Sequence, residues 1–214
     1  MPAHPTFRPA RAAAQLAAVA AAALLAASTW AAGVQEDGYF LDASLWRTEV
    51  AQSGSGHWPA DGWYRLLPGE RAIDVRAADT RRAPPEDDAA WYVRIPGAAL
   101  KAGTRPLYRM TPAVAQPRPG REYQLTLGKS AFAVTVDDVD ALTYTIRYAG
   151  REHVYRLAAA GSTTAIRAIA DLDGDTYPDF IVDAGEQTFL LLSRRAQPGL
   201  NPPTAELWAG HEGC

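Results

Sequence analysis

The chain has 214 residues, with 21 Lys and Arg against 24 Asp and Glu, one cysteine and a formal charge of −3. That balance excludes a general nucleic-acid binder, which needs a basic surface. A single cysteine excludes an intramolecular disulfide and any multi-thiolate zinc site.

Residues 1–32 read as a secretory signal. Arg8 and Arg11 make a positive start, no acid precedes Glu36, and Leu16 to Ala27 is an uninterrupted apolar run of 12 residues. Small residues from Ser28 to Ala32 complete the three-part pattern of a cleaved signal. The run is shorter than the roughly 20 residues that span a bilayer. The expectation is a periplasmic or secreted protein with no stable membrane insertion after cleavage. Cleavage removes two arginines and no acid, leaving 19 basic against 24 acidic residues. Without a disulfide pair, such a domain is held by its core, a bound metal, or both.

Residues 33–60 have weak periodicity and read as an irregular lead-in with one short strand or helical turn. From Asp61 the period is two. Trp63-Tyr64-Arg65-Leu66, the turn Pro68-Gly69 and Ala72-Ile73-Asp74-Val75-Arg76 predict a hairpin. Residues 78–88 read as a polar loop. Trp91, Val93 and Ile95 alternate with Tyr92 and Arg94, which predicts a strand with one buried face. The proline-rich stretch 112–119 reads equally well as a sub-domain boundary or a surface loop.

A regular meander follows. Tyr123, Leu125 and Leu127 lead to the turn Gly128-Lys129, and Phe132, Val134 and Val136 return. Asp137-Asp138-Val139-Asp140 turns the chain into Leu142, Tyr144, Ile146 and Tyr148, then Ala149-Gly150 turns it into a strand opened by His153. Ile166–Ala170, Phe180–Val182 and Phe189–Leu192 complete the set, and 197–214 reads as an irregular tail. No stretch after the signal keeps a helical apolar period for long. The fold class is therefore mainly β, an antiparallel meander, sandwich or open barrel-like domain over residues 61–196.

One stretch carries chemistry. Asp171-Leu172-Asp173-Gly174-Asp175-Thr176-Tyr177-Pro178-Asp179 puts four carboxylates at positions 1, 3, 5 and 9 of a short loop. Alternate side chains of a tight loop turn inward, and crowded carboxylates repel unless a hard cation takes their charge. Ca²⁺ suits them, taking six to eight oxygens at roughly 2.3–2.6 Å, whereas Mg²⁺ demands a stricter octahedron. The main-chain carbonyl of Tyr177 stands at position 7 and would add a fifth ligand. An EF-hand needs glycine at position 6, glutamate at 12 and flanking helices. Here Thr176 and Val182 hold those positions, between β-rich flanks. A strand–loop–strand calcium site is what remains.

That combination resembles the FG-GAP or VCBS-type repeat, whose loop reads D-x-D-G-D-G-x-x-D before an apolar strand. The likeness covers residues 171–192. It implies that Asp171, Asp173, Asp175 and Asp179 bind calcium, as in repeats that build propeller blades in integrin-like and secreted bacterial proteins. Thr176 replaces the family's second glycine, and the chain holds no second copy. One motif does not supply the four or more blades of a propeller, so the calcium loop carries over and the propeller does not.

The weaker constellations read as structure. Ser53-Gly54-Ser55-Gly56-His57 is not G-x-S-x-G and lacks a strand-to-helix elbow. His57, His153 and His211 are too far apart for a zinc spacing. Glu86-Asp87-Asp88 reads as a solvated loop charge. Trp58, Trp63 and Tyr64 are the aromatics expected to face solvent. Cys214 is a free thiol or the donor of an intermolecular disulfide. The expectation is an exported, non-enzymatic β module with one structural calcium, binding a protein or glycan or assisting an envelope process. The alternatives are a secreted hydrolase with unlocated carboxylates and an adhesion-type protein.

Overall fold

The computed structural model describes residues 38–51, 58–85 and 88–208, all within one compact unit spanning Gly33–Cys214. The expected signal segment, the Ser53–His57 stretch, Glu86, Asp87, His211 and Cys214 lie outside the described residues.

In chain order, β1 (Tyr39–Asp42) leads into a helical turn, α1 (Ala43–Leu45), which a π-helical turn (Trp46–Ala51) continues. The hairpin β2 (Tyr64–Pro68) and β3 (Ala72–Ala77) is followed by β4 (Trp91–Arg94) and β5 (Gly103–Pro106). A short helix, α2 (Pro112–Ala115), occupies the proline-rich stretch. The meander is β6 (Glu122–Leu127), β7 (Ser130–Asp137), β8 (Ala141–Tyr148) and β9 (Arg151–Ala159). Then come β10 (Thr164–Ala170), β11 (Asp179–Ala184) and β12 (Gln187–Leu191). In the expected irregular tail the chain forms two short strands, β13 (Gly199–Asn201) and β14 (Ala205–Glu206).

The strands form three sheets, ordered β1-β4-β2-β3-β5, β10-β11-β12-β14 and β13-β9-β8-β7-β6. Pairing within the sheets is antiparallel except for β13 beside β9. The mainly antiparallel β class is thus the observed one. Single bridges link the first two sheets at both edges, Leu107 with Ala170 and Phe40 with Leu207. The ring stops short of a closed barrel.

The β10-β11-β12-β14 sheet is the middle layer, because side chains on its two faces enter different cores. Ile166, Ile169, Phe180, Val182, Phe189 and Leu191 pack with Val134, Tyr144 and Ile146 of the meander. Ala168, Ala170, Ile181, Leu190 and Leu192 pack with Leu66, Ile73, Val75 and Val93 of the first sheet. Covering on both faces explains the continuous apolar runs Phe180–Val182 and Phe189–Leu192, where a half-solvated strand alternates. Strict period two would put Ile166 and Ala168 on one face. A register shift between them, a β-bulge at Arg167, sends them to opposite cores and sets the exit of β10.

The first sheet is also covered on its outer face, by the helical turns after β1. Trp46 stacks on Tyr92 with ring centroids 4.3 Å apart, and Trp63 meets Trp46 edge-on at 4.8 Å. Tyr92 and Trp63 are therefore buried. The strand Trp91–Arg94 buries both faces rather than one, and Trp63 does not face solvent. Trp58 and Tyr64 are half-buried. Asp88 is not a solvated charge either. Its side chain is only 2% exposed, accepts two bonds from the Arg65 guanidinium at 2.7 and 3.0 Å, and takes a third from the Tyr92 hydroxyl. Unlike the other two sheets, the meander keeps one polar face in solvent.

Candidate metal centre

The acidic loop is the β10–β11 connection of the middle sheet. Ala170 and Asp179 form the last rung of that pair, so the excursion begins and ends at a fixed point. Within it, short acidic side chains hold the backbone in successive tight turns. Asp171 Oδ1 accepts from the Gly174 amide at 2.7 Å, Asp173 Oδ1 from Asp175 at 3.0 Å, and Asp175 Oδ1 from Tyr177 at 2.8 Å. Gly174 has φ +78°, and a Cβ there would run into the Lys101 side chain. Thr176 also sits in the left-handed region, at φ +77°. The expected glycine-to-threonine departure thus falls where glycine would be unstrained and a β-branched residue costs about 1–2 kcal/mol.

These turns bring one carboxylate oxygen each from Asp171, Asp173 and Asp179 within 4.8 Å of one another. Asp179 is 1% exposed and Asp173 is 4% exposed, while Asp171 is half-buried. Asp179 is the scaffold. Its Oδ2 accepts from the amides of Leu172 (2.7 Å) and Asp173 (3.4 Å), and its Oδ1 from the amide and hydroxyl of Ser193, both at 2.7 Å. Asp173 is different. One oxygen serves the Asp175 amide, and Oδ2 is buried without a hydrogen-bond partner. Its closest counter-charge is the Arg194 Nε, 3.7 Å away and beyond hydrogen-bond reach.

The electrostatics follow from this crowding. Burial, then the neighbouring charge of Asp175, pushes the Asp173 carboxyl up to about 6. Burial, then the charge of Asp173, pushes Asp179 well above the usual carboxylate range, against the pull of its bonds from Ser193 and Leu172. Both groups resist ionising without a counter-ion. A buried carboxylate oxygen that has no hydrogen bond and only the 3.7 Å contact with Arg194, among two further carboxylates, fits a cation, whose charge reverses the cost of ionisation. The cluster could hold a metal ion.

One sequence-derived ligand, Asp175, is placed apart from the other three. Its two oxygens lie 3.1 and 3.0 Å from the Ser193 hydroxyl oxygen, competing with Asp179 Oδ1 at 2.7 Å for that hydroxyl's one proton. The Tyr177 ring turns away onto Tyr148, with centroids 5.0 Å apart. Ser193 is the residue that sequence reasoning missed. It follows β12, and the register pairing Phe180 with Leu191 carries it across from the loop's end. Only that hairpin register could have flagged it. The Tyr148 hydroxyl donates to the Ser193 carbonyl at 3.2 Å, which ties the turn to the meander.

Among the described residues, the other acids and the one histidine stay apart from this cluster. His153 is buried and stacked on Tyr148 at 4.3 Å, with Nδ1 2.9 Å from the Gln197 carbonyl. The acids of the Asp137–Asp140 turn bond to main-chain amides, Asp137 to Val139 and Asp138 to Gly161. No protein-family model, curated protein or solved structure matches this chain.

Proposed function

We propose that this chain is an exported, non-enzymatic β module whose 171–179 loop binds one structural Ca²⁺. Asp171, Asp173 and Asp179 are its carboxylate ligands and the Tyr177 carbonyl a further one. Asp175, held by Ser193, contributes charge and orders the turn. The observation that carries the reading is the Asp173 Oδ2 atom, buried and without a hydrogen-bond donor inside the acidic cluster. An orphaned buried acceptor costs about 1–3 kcal/mol, and more when charged. A cation removes that cost. An all-oxygen donor set on one loop favours Ca²⁺ over Mg²⁺, which keeps more of its water. The FG-GAP-like spacing and the left-handed Thr176 support the same choice.

The ion's role is to hold the β10–β11 exit shut. Extracellular calcium modules bind at roughly 10⁻⁴–10⁻³ M, so an exported protein would fill the site outside the cytoplasm. At tenfold excess over Kd, binding to the folded form alone adds roughly 1.4 kcal/mol of stability. Thermal melts in calcium, magnesium and EGTA test this. Calcium should raise Tm above the EGTA value, magnesium should do so less, and Asp173→Asn should lose the response. Identical melts in all three would end the reading.

A further inference from the structure

The chain leaves β12 through a 3₁₀ turn, Ser193–Arg195, which brings two different groups to the acidic loop. Ser193 donates to Asp179 from its amide and its hydroxyl. The next residue, Arg194, brings a full positive charge. Its Nε lies 3.7 Å from Asp173 Oδ2, and its Nη2 donates a long bond of 3.5 Å to the Asp173 carbonyl. Asp173 Oδ2 is the buried atom that has no hydrogen-bond partner. The Asp173 side chain is wholly screened from solvent, whereas that of Arg194 is 47% exposed.

Two cations therefore have a claim on one oxygen. The guanidinium answers it incompletely, because it makes no hydrogen bond there and water screens its exposed half. A divalent ion in the cluster would take the same oxygen directly, at roughly 2.3–2.6 Å for calcium, and with twice the charge. The loop's carboxylates attract both cations. The cations repel each other, so each lowers the affinity of the loop for the other by the same factor. This coupling holds whatever net charge the four carboxylates leave on the loop, since it is a term between the two positive groups alone.

Resting on the reading of the loop as a calcium site, we propose that Arg194 is a tethered counter-cation that a divalent ion displaces from Asp173. In the ion-free protein it offsets part of the carboxylate charge and holds the loop together. When calcium binds, its side chain, already half in water, swings outward while its aliphatic stem stays on the turn. Arg194 thus sets the calcium concentration at which the loop fills, and it raises that concentration above what the oxygen ligands alone would require.

Calorimetric titration with calcium at low ionic strength tests this in wild type, Arg194→Gln and Arg194→Lys, with Tm in EGTA measured alongside. Arg194→Gln should bind calcium about fivefold more tightly than wild type and melt lower in EGTA. Arg194→Lys keeps the charge and should stay within about twofold of wild-type affinity. Added potassium chloride should narrow the gap between Arg194→Gln and wild type, because it screens the repulsion. A residue that only braced the turn would weaken calcium binding when removed. Equal or weaker binding by Arg194→Gln, or a lysine variant that binds as tightly as the glutamine one, overturns the inference while the calcium site stands. If neither wild type nor Arg194→Gln takes up calcium, the loop reading fails and this inference falls with it.

Discussion

Two hairpin connections in this protein are comparably rich in acid, and only one has the makings of a site. Asp137-Asp138-Val139-Asp140 joins β7 to β8 at the rim of the meander, where Asp137 and Asp140 are exposed. Water reaches those two carboxylates, Asp138 between them is half-buried, and Asp137 and Asp138 accept from main-chain amides. Asp171–Asp179 joins β10 to β11 in the sheet packed on both faces, and the middle layer draws Asp173 and Asp179 out of water. Acid density is similar, and desolvation is the difference. Burial turns a solvated turn into a place where negative charge needs an answering cation.

Substitutions can break that contrast. The largest effect should come from Asp179→Ala, which strips the acceptor from the amides of Leu172 and Ser193 and from the Ser193 hydroxyl. Urea unfolding in calcium should show a loss of about 3–5 kcal/mol, as for one partner removed from a buried charged network. Asp138→Ala, in the solvated turn, should cost no more than about 1 kcal/mol by the same measurement. If the two losses are equal, burial is not what separates the turns.

Asp173→Asn sharpens the comparison through its sign. It should abolish stabilisation by calcium, yet in EGTA it should be more stable than wild type at pH 7 by about 1–2 kcal/mol. The amide keeps the shape of the side chain and removes a charge that the folded state resists. Destabilisation in EGTA would mean that Asp173 is already satisfied without an ion.

The pH dependence follows from the same group. The folded Asp173 carboxyl is raised to about 6, above its ordinary unfolded value near 3.9. The ion-free folded state therefore binds more protons than the unfolded one between those values. This group's contribution to stability is full below the lower value and is lost as pH rises through about 6. In EGTA, the Tm difference between wild type and Asp173→Asn should narrow as pH falls from 7 to 5. Over the same range the calcium-induced rise in Tm should shrink, because protons compete for the ligand. A calcium increment independent of pH would exclude Asp173 as a ligand.

The smallest expected effect is at Thr176. Thr176→Gly relieves the left-handed strain at φ +77°, offset in part by glycine's larger loss of chain entropy, for a net gain of about 0.5–1 kcal/mol. Denaturant midpoints compared with wild type in calcium measure it. A loss would show that the threonine side chain stabilises the loop more than its backbone strains it.

Much of the strand pattern was legible because period-two alternation marks a half-buried sheet. The meander from Tyr123 to Leu157 alternates cleanly and forms as expected, with one face in a core and the other in solvent. The reading thinned where both faces are buried. Tyr92 interrupts no apolar run, and nothing near it announces that Trp46 will cover it from another part of the chain. β13 and β14 escaped notice because strands of three and two residues are too short to show a period. At the candidate site, the spacing of Asp171, Asp173 and Asp179 was visible, and Ser193 was not.

The order of residues alone determined the local chemistry: alternating faces, the turns at Gly128 and Gly150, and four carboxylates spaced within a nine-residue loop. These depend on neighbours a few positions apart, which a linear chain cannot separate. Tertiary structure alone decided which carboxylates lose water, that Asp175 answers to Ser193, and that Arg194 comes to 3.7 Å from Asp173. Burial and long-range pairing are properties of stacked sheets, and no stretch of sequence contains the layer that covers it.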